Sequence, residues 1–163
     1  MHPVTFQAIE EAALLRHGSA EIARRLARPK SPGELAAISD DRWLSTMSRR
    51  IFQAGLKHEL VDRKWPAFEE VFRGFDPATV AGLYDETLEA MLEDTRLIRH
   101  MGKLQATRPN ARDVLEIAAE HGSFGAFVAH WPVTDITGLW AILAKLMKQL
   151  GGKSAPVFLR IMG

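Results

Sequence analysis

Arg99, His100, Gly102 and Lys103 crowd the stretch LIRHMGKLQA, residues 97–106. Residues of these types in so short a span suit one kind of chemistry, the holding of a phosphate. The charge pattern around them changes sign. Residues 85–94 (DETLEAMLED) hold five acids and no Lys or Arg, whereas 96–112 (RLIRHMGKLQATRPNAR) hold five Lys or Arg and no acid. The stretch 85–121 therefore reads as an acidic helix, a tight basic turn and a second helix. A turn feeding a helix N-terminus offers unpaired backbone N–H groups and the positive end of the helix dipole. Gly102 lets the chain take φ > 0 or lets a ligand approach the backbone closely. On physics alone two readings stand: a phosphate seat, or a helix–helix turn with a solvated basic face.

The elements that must position this turn are helices. Nearly every apolar stretch has helical spacing, and none alternates convincingly as a strand would. The clearest case is DITGLWAILAKLMKQLGG, where Ile136, Leu139, Trp140, Leu143, Met147 and Leu150 line one face. Asp135 stands near its start and Gly151-Gly152 at its stop. Further helices are predicted at about 5–16, 19–28, 41–54, 58–72, 77–83, 85–94, 103–121 and 123–130. Breaks are expected at Gly18, Pro29, Pro32, Pro66, Gly74, Pro77, Gly122 and Pro132. Pro109 predicts a kink or break near Arg108, and APVFLRIMG reads as a helix cut short. The predicted fold class is all-α, a compact bundle of short helices in a single domain spanning 1–163, with its C-terminus open to truncation.

Composition bounds the rest. At 163 residues, 47% hydrophobic and 25% charged, the chain can build one ordinary globular core. A net charge of +1 points to no partner, so any nucleic-acid contact must be local. The absence of Cys excludes disulfides and any Cys-based zinc or iron–sulfur site. No apolar run approaches the roughly 18 residues of a membrane span. The first residues, MHPVTFQAIEEAALLRHG, carry acids in their apolar stretch and read as a helix rather than a signal peptide. A cytoplasmic location, no cofactor, no metal and no membrane association are the expectations.

His100-Met101-Gly102-Lys103-Leu104-Gln105-Ala106 resembles the helix-hairpin-helix DNA-binding element, with His where the first glycine usually stands. That departure fits one branch, the DNA-3-methyladenine glycosylase I family, to which the stretch is similar. FQAGL (52–56), FDPATVA (75–81) and NARDVL (110–115) resemble the same family in the same order, and the likeness covers roughly residues 39–131. The resemblance implies that Arg99, His100, Gly102 and Lys103 clamp phosphate without reading sequence. It also implies that Gln53-Ala54-Gly55-Leu56 is a turn pushed into the duplex beside a lesion. Leu56 would wedge between bases, Gln53 would hydrogen-bond an orphaned base, and Gly55 would allow close approach.

Departures from the family pattern fall around the base pocket. The position three before Gln53 carries a carboxylate in the family and is Arg50 here. The position two after Leu56 carries a stacking aromatic there and is His58 here, where it can be a pocket wall, a proton donor or a spectator. Trp43 and Trp65 offer stacking surfaces, with core burial as their other reading. The family's better-known members hold zinc with Cys and His, and this chain has no Cys. A guanidinium about 4 Å from a cationic base costs up to roughly 4 kcal/mol at an effective dielectric of 20. Either Arg50 points to a phosphate, or the substrate is not the usual one. Glu59 and Asp62 are the nearest carboxylates that could stand in, and no catalytic residue is assigned. The implied activity is hydrolysis of the N-glycosidic bond of an alkylated purine in double-stranded DNA by a monomer. A non-catalytic lesion-binding protein on the same scaffold is the alternative.

Overall fold

The computed structural model describes residues 5–26 and 28–163, and among them every regular element is helical. The chain divides into two compact units. The N-terminal unit holds α1 (Phe6–His17), capped by the Thr5 hydroxyl, and α2 (Ser19–Arg25). The α1 helix buries none of its residues, and Phe6 and Leu15 are exposed.

The second unit, Lys30–Met162, contains α3 (Pro32–Ala36), α4 (Asp40–Gln53), α5 (His58–Val71), α6 (Pro77–Ala81), α7 (Asp85–Ala90), α8 (Met101–His121), α9 (Phe124–His130), α10 (Ile136–Leu146) and α11 (Ser154–Met162). A 3-10 turn, Arg73–Phe75, joins α5 to α6. No described helix is long and apolar enough to cross a membrane. The all-α expectation is met.

Local chemistry explains the starts of several helices. Ser31 and Glu34 form a reciprocal capping box at α3, with Pro32 in the first turn. Asp76 accepts from the backbone N–H and hydroxyl of Thr79, and Pro77 begins α6. These caps account for the DPAT portion of FDPATVA. Gly125 in α9 is needed for close approach, since a Cβ there would lie 2.4 Å from the Leu35 carbonyl oxygen and 2.9 Å from Trp43 Nε1.

The core is aromatic. Trp65 stacks between Phe68 (4.8 Å) and Phe75 (5.4 Å), and Phe52 meets Phe68 at 4.7 Å. On the other side of α4, Trp43 packs on Phe124 and Phe158 at 5.3 and 5.8 Å. Rings in these offset and edge contacts gain beyond their burial.

Three expectations about elements are corrected. The α8 helix runs unbroken through Pro109, and α5 runs through Pro66. Each proline removes one backbone donor, but α8 is buried on both sides of it, at Leu104, Ala106 and Thr107 and then at Asn110, Ala111 and Val114. Tertiary packing holds the helix together where local propensity would break it. The last predicted helix stops at Leu146, although Met147 and Leu150 remain buried beyond its end. The α3 helix was not expected.

Candidate DNA-binding and base-recognition site

Helices α4 and α5 form an antiparallel pair, and the turn between them, 54–57, is where the sequence places the wedge. Three polar rungs zip the pair. Arg42 binds Glu69 through two hydrogen bonds of 3.0 and 2.8 Å. Ser45 donates to Glu69 and accepts from Trp65 Nε1 at 3.0 Å. Arg49 binds Asp62 at 2.7 Å. Residues 42, 45 and 49 share one face of α4, and 69, 65 and 62 the matching face of α5, as the helical repeat requires. Burial works against ionisation of Glu69, but the hydrogen bonds from Arg42 and Ser45 outweigh it and hold the carboxyl below its ordinary range. Asp62 is held low in the same way, with Arg49 and Gln53 overcoming the effect of burial.

At the tip, Gly55 has φ +80°, a conformation that favours glycine, and nothing lies within 4 Å of a would-be Cβ. Leu56 is 36% exposed, and His58 and Glu59 are exposed at the start of α5. Gln53 is 8% exposed, and its Nε2 donates to Asp62 Oδ1 at 2.9 Å. The amide expected to meet an orphaned base is thus engaged within the protein.

The hairpin lies beside this turn because of Lys103. Its side chain is 7% exposed, and Nζ donates to the carbonyls of Phe52 (3.2 Å) and Ala54 (2.6 Å). It caps the C-terminal end of α4, where carbonyls lack helical partners and attract a cation. Burial, aided by the nearby positive charge of Arg50, pushes its pKa down. The expectation that Lys103 reaches phosphate is corrected, because its ammonium faces inward and spans the hairpin and the wedge turn.

Gly102 is also corrected in part. It is absent from the positive-φ residues and sits in the first turn of α8. Its carbonyl accepts from Gln149 Nε2 at 2.7 Å. His100 is the N-cap of α8, and its Nδ1 accepts from the Lys103 backbone N–H at 3.3 Å.

The other basic residues of 96–112 are largely compensated. Arg96 pairs with Asp94 and Glu70, Arg108 with Asp85 and the Leu83 carbonyl, and Arg112 with the Ala81 carbonyl. The acidic run upstream therefore neutralises part of the basic segment instead of serving only as a solvated back. Exposed Arg99 has no such partner among the described residues. Beside it, the first-turn N–H groups of α8 face outward from the helix end.

Arg50 lines a cleft of about 250 Å³ with Thr46, Arg49, Gln53 and Ile161. Its Nε and Nη1 are buried and without a hydrogen-bond partner. Trp43 does not reach this cleft. It is fully buried in the core, and Trp65 is 6% exposed within the aromatic stack, so neither can wall a base pocket. Sequence reading missed Asn110 and Gln149. Asn110 exchanges two hydrogen bonds with the Lys148 backbone at 3.1 and 2.6 Å. Gln149 holds φ +61° while its amide reaches Gly102. The only signal for Asn110 was its place within NARDVL.

Among the described residues no group of three His, Cys, Asp or Glu could hold a metal.

The fold and its hairpin define an all-α protein of the helix-hairpin-helix type. A family model, methyladenine glycosylase, matches residues 35–149, and the chain belongs to that family. DNA-3-methyladenine glycosylase 1 of Escherichia coli (strain K12) is 33% identical over 141 residues, covering 72% of this chain and 75% of that protein. DNA-3-methyladenine glycosylase of Haemophilus influenzae is 33% identical over 98 residues, covering 57% and 53%. The crystal structure of a 3-methyladenine DNA glycosylase I superposes with a TM-score of 0.67 at 27% identity, covering 77% of this chain and 79% of that one.

Proposed function

We infer that this protein is a base-excision repair enzyme of the DNA-3-methyladenine glycosylase kind, hydrolysing the N-glycosidic bond of alkylated purines in DNA. The observation that carries this reading is the Lys103 bridge, which seats a duplex-opening turn against a phosphate-facing helix start in a chain of this family.

In the proposed reaction Arg99, His100 and the first turn of α8 hold the backbone, acting without sequence preference. Gly55 and Leu56 enter the stack beside the lesion, and the damaged base swings out. Water then adds across the bond. Its oxygen joins C1′ of the sugar, the base leaves with the bonding electrons, one proton is released, and an abasic site remains. An N-alkylated purine is cationic in DNA and leaves as a neutral base, so its departure needs no prior protonation.

The lining of Thr46, Arg49, Arg50, Gln53 and Ile161 holds no carboxylate and no aromatic ring. That favours, as a second reading, a lesion binder without catalysis. Incubating the full chain with alkylated duplex DNA and measuring free base separates the two. Release of alkylated purine with matching abasic sites is expected. Tight lesion-dependent binding with no release would establish the binder instead.

A further inference from the structure

Arg50 is an unusual side chain for this position in the molecule. Its neighbour Arg49 is neutralised by Asp62, and Gln53 uses the same carboxylate. The Arg50 guanidinium has neither a hydrogen bond nor an ion pair, and two of its nitrogens are shut off from solvent. The closest listed charge acting with it is the Lys103 ammonium, of the same sign. Buried polar groups are almost always paired, so an orphaned guanidinium on a cleft wall marks a place for an acceptor. The cleft is smaller than the roughly 300–1,000 Å³ usual for ligand pockets and suits a single planar group.

We propose that this cleft selects an uncharged purine with a carbonyl on the edge that meets Arg50, and disfavours a cationic purine. The inference rests on the glycosylase reading and narrows its substrate class. In the ground state the guanidinium donates to the carbonyl and gains the partner it lacks, whereas a cation placed there is repelled by two positive side chains. The leaving step points the same way. When the glycosidic bond of an uncharged base breaks, the electron pair stays on the base, which departs as an anion unless it is protonated. A donor already set against its carbonyl stabilises the charge as it develops. A cationic base departs neutral and gains nothing from that donor.

The test uses the full chain and four duplex probes, carrying hypoxanthine (uncharged, carbonyl-bearing), 3-methyladenine (cationic), an abasic-site analogue or no damage. Binding and base release are both measured. The wild type should favour hypoxanthine in both. Arg50→Glu should reverse the order, with at least a tenfold fall for hypoxanthine. Arg50→Gln, which keeps an amide donor and drops the charge, should keep part of the hypoxanthine preference and relieve the penalty against 3-methyladenine. Circular dichroism establishes that both variants fold.

If neither base is released but the Arg50-dependent order persists in binding, the selectivity stands and the catalytic reading fails. Preference for 3-methyladenine by the wild type overturns the proposal. So does an equal loss of affinity for all four duplexes in both variants, with inorganic phosphate competing equally against each in the wild type, because Arg50 is then a backbone phosphate contact.

Discussion

Lys103 and Arg99 differ by four positions and do opposite jobs. Lys103 is turned inward onto the Phe52 and Ala54 carbonyls, and Arg99 is turned outward with no partner. Replacing Lys103 with Met should leave two carbonyls short of a donor and cost about 1–3 kcal/mol of stability. Urea unfolding of the variant should show the loss directly. Arg99→Ala should leave unfolding unchanged and weaken binding to every duplex alike. It should also lower the slope of log affinity against log salt by about one unit. If Lys103→Met shifts the salt slope at unchanged stability, the inward geometry is wrong. Nothing in the sequence separates these two cations, since both belong to one acid-free run. Direction comes from tertiary structure, which presents α4 carbonyls to one and solvent to the other.

At the scale of elements, the α4–α5 pair is held by ionised carboxylates, which makes it sensitive to acid. The Glu69 carboxyl is held below its ordinary value near 4.5. A depressed carboxyl contributes stability that is fully present above the unfolded value and is lost as pH falls through the folded one. Unfolding free energy should therefore fall when the protein is taken from neutral pH to below the carboxylate range. Glu69→Gln should lose about 1–2 kcal/mol at neutral pH, discounted for partial exposure, and show a flatter acid dependence. Parallel urea titrations at the two conditions check this. Helix identity along this part of the chain was legible because the apolar repeats of 41–54 and 58–72 are regular, and the bounds found are Asp40–Gln53 and His58–Val71. The α3 helix escaped because it is only five residues long. Its Ser31–Glu34 capping box was nonetheless present to be read. Pro109 and Pro66 misled because a proline's local cost is visible in sequence, while the packing that offsets it is not.

On the scale of the whole molecule, fold class and family were legible in four short stretches whose order matters more than any one of them. The wedge turn and hairpin can be placed from those stretches, but the cleft cannot. Arg50 shows its unpaired state only when α4 and α11 are both in place, and Ile161 of α11 lies more than a hundred residues downstream. The absence of Cys carries a stability consequence as well. With no disulfide and no metal-ligating cluster among the described residues, chelator should leave the melting temperature where it is. A thermal melt with and without chelator tests that, and a large drop would reveal a His or carboxylate site.

The clasp between Gln149 and Gly102 bears on the order of events during synthesis. The two ends of that bond are 47 residues apart, and the Asn110–Lys148 exchange spans 38. The acidic helix, the basic turn and α8 all leave the ribosome before Lys148 and Gln149 do. Closing contacts at such separation must await the later segment and carry a loop-closure cost. The hairpin is local in sequence and late in completion, with the buried amide of Asn110 unsatisfied until Lys148 emerges. A nascent chain stalled just short of Lys148 holds every residue of the phosphate-facing turn but not the bonds that lock it.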